Sequence, residues 1–300
     1  MTMSIIKPNV LAASALASTT AVDAYAVYSS STAYALNANV TYLGRYWRCI
    51  QGPSTGNVPN SSPLYWVDMG QSNVWGMFDE AVGTLTTATG ALTVVLRPGA
   101  VSGLALMELA GKQLSVVMKD APGGTVIYSK TILLDNTPVV SFYDWFYADY
   151  EQLSDAVMTD LPIHFVSNEL TISITGGTGA SIVSCGMCQM GKVIPIGSTL
   201  MGATVGIVDY SKKTVNAFGN YTIERRAFSK RADYQVIVAK GDFNRIFRAL
   251  TGLTSTLCVY VGENAVGYEP LLVWGFYKDT SMVVDYANTR LCNFSIEGLI

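Results

Sequence analysis

The chain holds one histidine, His164, in Leu161-Pro-Ile-His-Phe165. One imidazole cannot build a His-Glu-x-x-His zinc site or a two-histidine iron centre. A Ser-His-Asp triad is formally open, with no Gly-x-Ser-x-Gly elbow expected to serve it. His164 reads more simply as a satisfied histidine beside a strand start. Two carboxylates suffice for glycoside hydrolysis. The candidates are Asp144 and Asp149, within the ring-dense run Phe142-Tyr-Asp-Trp-Phe-Tyr-Ala-Asp-Tyr150. Rings could stack on a sugar and acids accept its hydroxyls, but a loop packed at a sheet edge or subunit contact would carry the same residues. Cys185-Gly-Met-Cys188 lies in a strand-like run, without the helix N-terminus a redox pair wants or the second ligand pair zinc wants. Cys49, Cys258 and Cys292 bring the count to an odd five, so buried free thiols are expected, not a disulfide framework. No phosphate-cradling glycine loop is found. The expectation is no enzyme, no metal and no cofactor.

The densest charge is basic: Lys212, Lys213, Arg225, Arg226, Lys230 and Arg231. Six of the 19 basic residues fall within twenty positions, with Asp209 and Glu224 nearby. A nucleic-acid patch is one meaning. The net charge of −3 and the lack of interleaved aromatics oppose it. Arg–carboxylate pairs that set register between subunits fit better, with a solvated strand face as the plain alternative.

The whole chain is sparsely ionised. Only 14% of its 300 residues are Asp, Glu, Lys or Arg, against roughly 25% in ordinary soluble domains. Half are apolar. A surface so poor in charge is expected to be covered by other subunits. A membrane span is not expected. The charge-free stretches 170–191 and 193–208 are broken by Thr175-Gly-Gly-Thr-Gly179 and by Pro195, Gly197-Ser-Thr199 and Gly202. Val10 to Ala17 after Lys7 mimics a signal peptide, but its apolar stretch is weak and Pro8-Asn9 precedes it. Residues 1–33, rich in Ala, Ser and Thr, are read as an anchoring arm laid along a partner.

Elements follow from periodicity. Tyr34 to Trp66 alternates rings, glycines and prolines with polar residues. Val40–Gly44 and Tyr46–Ile50 read as strands, Gly52 to Pro59 as a long turn. A unit this small must be held by rings. Leu92, Val94 and Leu96, and then Leu170, Ile172 and Ile174, alternate with other residues as strands do. Leu114–Met118 and Thr125–Tyr128 flank the turn Asp120–Gly124, a hairpin. The helical segment is Asp242–Leu250, with Asp242 as cap, Phe243, Ile246, Phe247 and Leu250 on one face, and Gly252 as stop. The fold expected is mainly β: the arm (1–33), a small aromatic β-module (34–70), a jelly-roll-like β-sandwich (71–195), and a C-terminal α+β domain with one clear helix (196–300).

The order Tyr34, Asn39, Val40, Tyr42, Gly44, Trp47, Cys49, Gly56, Pro59, Trp66 resembles the type-3 chitin-binding, carbohydrate-binding module over about a tenth of the chain. Ile50 and Gln51 stand where that family usually shows sugar-stacking rings. The resemblance implies a scaffold with Tyr42, Tyr46, Trp47 and Trp66 as its stacking surface. Trp75–Asp79, Val205–Ser211, Glu224–Arg231 and Ser295–Leu299 resemble, more loosely, virion proteins of tailed bacteriophages. That resemblance implies a homo-oligomeric tail, collar or baseplate component located in the virion. Its arm would hold other virion proteins, and a host-surface glycan would be the alternative partner.

Overall fold

A computed structural model describes residues 2–299 apart from 82, 164–166, 178, 180, 216–217, 227, 266 and 285–287, so His164 lies outside the described residues. The chain is mainly β. In order it forms β1 (Thr2–Pro8), β2 (Leu16–Thr19), β3 (Asn39–Tyr42), β4 (Arg45–Cys49), β5 (Trp66–Gln71), β6 (Thr86–Thr89), β7 (Ala91–Leu96), β8 (Gly103–Met107), β9 (Gln113–Lys119) and β10 (Val126–Leu133). Then come α1 (Phe142–Tyr147), β11 (Ala156–Met158), β12 (Glu169–Thr175), β13 (Ile182–Cys185), β14 (Met187–Thr199), β15 (Thr204–Asp209), β16 (Lys212–Val215), β17 (Tyr221–Glu224) and β18 (Phe228–Ala239). The chain ends with α2 (Phe243–Thr251), β19 (Cys258–Val261), β20 (Leu272–Val283) and β21 (Thr289–Gly298).

The sandwich is built from the alternation the sequence displays. One sheet runs β10-β9-β12-β7-β2. Its inward residues Leu92, Val94, Leu114, Val116, Ile172 and Ile174 meet Leu104 and Leu106 of β8, Met158 of β11, and Cys188 and Met190 of β14 in one core. That second layer is one wing of a nine-stranded sheet, β11-β8-β14-β1-β19-β20-β21-β18-β15.

The other wing closes on itself. β18 pairs back to β14 through Ser198↔Ile237 and Thr199↔Val236, so β14, β1, β19, β20, β21 and β18 form a six-stranded barrel. Closure removes sheet edges that would otherwise template aggregation. Ile5, Tyr234, Val236, Tyr260, Val273 and Phe294 fill it, and α2 adds Ile246 and Leu250 to the same core. The helix ends at Gly252 as expected. Two of its details differ from expectation. Asp242 makes no cap bond and instead pairs with Arg245 at 3.0 Å, and Phe247 stays exposed, stacked on Phe243.

The N-terminal segment is a correction. Residues 2–8 are not an arm reaching for a partner; they are a central barrel strand between β14 and β19 of their own chain. Ile5 enters the barrel core and Ile6 a separate core with Ala105, Val259 and Trp274 on the opposite face. With both faces covered, β1 shows no alternation, which is why it read as part of an anchoring arm. Residues beyond it are also sewn in: Asn9 N–H donates to the Met190 carbonyl, and β2 pairs with β7. The cut at 195/196 moves as well. β14 runs through it, pairing with β8 over Met187–Gly191 and with β1 from Gly191 to Ser198. Gly191 is required there, since a Cβ would strike the Lys7 carbonyl.

The module is a three-stranded sheet, β3-β4-β5. It begins earlier than residue 34: Val27 bridges Thr41, and Tyr28 stacks on Tyr34 at 5.5 Å.

Candidate functional site

Rings hold the module together, and that use competes with sugar binding. Trp66 is 2% exposed. Its indole N–H donates to the Asn57 carbonyl at 2.9 Å, and its ring meets Tyr28 and Tyr34 edge-on. A buried ring has no face to offer, so Trp66 leaves the expected stacking surface. Tyr46 is committed too: its hydroxyl accepts from the backbone N–H groups of Ala24 and Asn73. Tyr42 packs edge-on to Tyr28, and the half-buried Trp47 donates to the Tyr42 carbonyl. The four residues do not form one flat, open platform.

The sequence does contain one Gly-x-Ser-x-Gly, Gly52-Pro-Ser-Thr-Gly56, contrary to the expectation above. It sits in the module's long turn, not at a strand-to-helix elbow. Ser54 is buried, its hydroxyl accepts from Asn57, and its backbone pairs with Tyr34. It presents no nucleophile. All five cysteines are buried and free, and burial raises the Cys185 and Cys258 thiols to about 12. Among the described residues no cluster of His, Cys, Asp or Glu could hold a metal ion, and no helix is long and apolar enough to cross a membrane.

The ring-dense run forms a knuckle. Its base is pinned: Asp135 bridges Gln152, Asn136 N–H donates to the Glu151 carbonyl, and the Tyr150 hydroxyl donates to the Leu134 carbonyl at 2.8 Å. Its crown is α1, where a loop was expected. Ser141 and Asp144 make a reciprocal capping box. The Asp144 carboxylate also accepts from the Val140 N–H, and the hydrogen bonds from Ser141 hold its pKa below the usual carboxylate value. Asp144 thus positions backbone, and its lowered pKa disfavours the general-acid role in a carboxylate pair. Around it Phe142, Tyr143, Trp145, Phe146 and Tyr147 are 69–89% exposed. Five open rings on six residues are far from a packed loop; such anchors are the stuff of interfaces.

The basic residues surround a second open feature, the β16–β17 hairpin. Pairing of Lys213 with Ile223 and Val215 with Tyr221 puts these side chains on one face, leaving Lys212, Thr214, Thr222 and Glu224 on the other. Val215, Tyr221 and Ile223 are all more than half exposed, and Lys213 Nζ stands 4.8 Å over the Tyr221 ring. A two-stranded ribbon with a bare apolar face is marginal unless something packs on it. The structure divides the six basic residues. Lys230 pairs with Asp155 at 3.2 Å, Arg231 with Asp233 and Arg226 with Glu224. Lys212, Lys213 and Arg225 are exposed on the ribbon and its exit. A groove of about 340 Å³ lies between the roots of the two features, lined by Asn136, Glu151 and Asp155 on one side and Val205, Ile207 and Phe228 on the other. The signal for the first strand of this hairpin is the short alternation Lys213-Thr-Val215.

The chain matches no protein-family model, no curated protein and no solved structure. The fold itself is a ring-built module on its own three-stranded sheet, beside a sandwich and a closed barrel that share one nine-stranded sheet.

Proposed function

We propose that the chain is a structural subunit of a virus particle of the tailed-phage kind, a homo-oligomeric element of tail, collar or baseplate that contacts neighbouring virion proteins. The observation that carries this reading is the pairing of a rigid, internally tied β framework with two large exposed apolar features on a surface short of charge. Rigid frames that project apolar anchors are suited to building lattices or rings. The barrel strand β1 changes one part of the picture: contacts between copies arise from the knuckle and the hairpin, not from an N-terminal arm. Glycan attachment is weakened by the buried Trp66 and the committed Tyr46 hydroxyl. Hydrolysis is weakened by the capping role of Asp144.

Size-exclusion chromatography with light scattering tests the reading. The expected result is a discrete multiple of 32.2 kDa whose share grows with concentration. A single monomer peak at every concentration up to the solubility limit contradicts it.

A further inference from the structure

The knuckle and the hairpin carry opposite charge. The knuckle, residues 135–151, carries Asp135, Asp144, Asp149 and Glu151 and no lysine or arginine. The hairpin and its exit, residues 212–226, carry Lys212, Lys213, Arg225 and Arg226 against Glu224. Each region also bears open apolar groups: the α1 rings in one, Val215, Tyr221 and Ile223, each more than half exposed, in the other. We infer that the knuckle of one copy docks on the apolar face of the β16–β17 hairpin of a second copy, with Asp149 and Glu151 meeting Lys213 and Arg225.

The proposal rests on the reading of the chain as an assembling subunit and names the contact. Charge selects the partner surface. Knuckle against knuckle would bring acids together, and hairpin against hairpin would bring bases together; both are disfavoured. Acidic knuckle against basic hairpin is complementary in sign and covers both sets of apolar side chains at once. An anionic membrane would repel the knuckle's acids. A nucleic acid would leave the hairpin's Ile223 and Val215 uncovered. Trp145 and Phe146 are the anchors: large, nearly bare, and held on a capped helix with little conformational freedom to lose.

A charge-swap mixing experiment tests it, read by light scattering. The hairpin variant Lys213→Glu/Arg225→Glu carries two acidic surfaces, and the knuckle variant Asp149→Lys/Glu151→Lys two basic ones. All four positions are exposed, so melting temperatures should match wild type and exclude misfolding. Each variant alone is expected to self-associate at least tenfold more weakly than wild type, and an equimolar mixture to regain wild-type mass. Trp145→Ala, which changes no charge, is expected to weaken wild-type association similarly. If wild type assembles and both variants assemble equally well alone, the contact is wrong while the assembly reading stands. Loss in each variant with no recovery on mixing also overturns the pairing. A wild type that is monomeric throughout removes both. Wild type binding to phosphatidylglycerol vesicles or to a 30-nucleotide single strand, lost in Trp145→Ala or in the hairpin variant respectively, would reassign the surface to membrane or nucleic acid and overturn the inference.

Discussion

Lys230 Nζ lies 3.2 Å from the Asp155 carboxylate, joining a barrel strand to the segment that leads into the sandwich edge strand β11. Asp155 is largely buried, with its side chain 15% exposed, and Lys230 somewhat less so. Its charge also reaches Glu108, whose pKa is raised chiefly by burial and then by Asp155. The two substitutions that break this pair are therefore unequal. Lys230→Met strands a shielded carboxylate beside another acid and should cost about 1–2 kcal/mol after allowance for partial exposure. Asp155→Asn removes the charge that burdens Glu108 and should cost less than half as much. Thermal melts of the two variants at pH 7 decide this; equal losses would mean the pair merely sits on the surface.

β1 should be indispensable. Ile5 and Ile6 are fully buried in two different cores. Replacing either by Ala should cost about 2–5 kcal/mol. A chain starting at Asn9 should fail to fold, because two barrel strands would lose their shared neighbour. Far-ultraviolet circular dichroism of that truncation is the check, and a cooperative melt near the wild-type temperature would mean that the strand is dispensable.

In the module the two tryptophans should behave oppositely to a binding platform. Trp66→Ala should destabilise by about 3–5 kcal/mol. Trp47→Ala, at a half-buried ring, should cost clearly less. Retention of wild type on chitin beads, lost in Trp47→Ala with no change in stability, would restore the sugar reading.

The thiols make the fold sensitive to alkali. Burial raises Cys185 and Cys258 to about 12 and Cys292 to about 11. In the unfolded chain these groups ionise near ~8.5. Above that value the unfolded state loses protons that the native state keeps, so stability is fully present below the unfolded pKa and falls as pH rises from about 9 towards 11. Denaturant midpoints measured from pH 7 to 10.5 should decline through that window. A thiol reagent at pH 8 should label none of the five native cysteines and all five in denaturant. Rapid native labelling of Cys185 or Cys188 would reopen a redox role.

How much was legible depends on whether one or both faces of an element are covered. Leu92-Val94-Leu96 and Leu170-Ile172-Ile174 announce β7 and β12, because one face of each meets the sandwich core and the other is more open. The α2 stripe is equally plain at Ile246 and Leu250. β1 is not, because Met3 to Ile6 are buried on both sides. β14 hides behind Pro195 and Gly197, which look like breakers but lie where its register with β1 shifts. The barrel closure between Thr199 and Val236 is a long-range pairing with no local signal. Of the candidate site, the sequence shows the basic cluster and the ring-dense run separately. Their neighbouring roots on one groove, and the capped helix that splays the rings into solvent, need the fold.

Hydrogen exchange measured at two protein concentrations tests the central claim most directly. Backbone amides of 139–150 and 212–224 should exchange quickly in dilute protein and become at least tenfold slower in concentrated protein, with the barrel strands unchanged. Equal exchange in both segments across a hundredfold range of concentration would mean that no second copy covers them, and the account of this chain as an assembling subunit through these surfaces would be wrong.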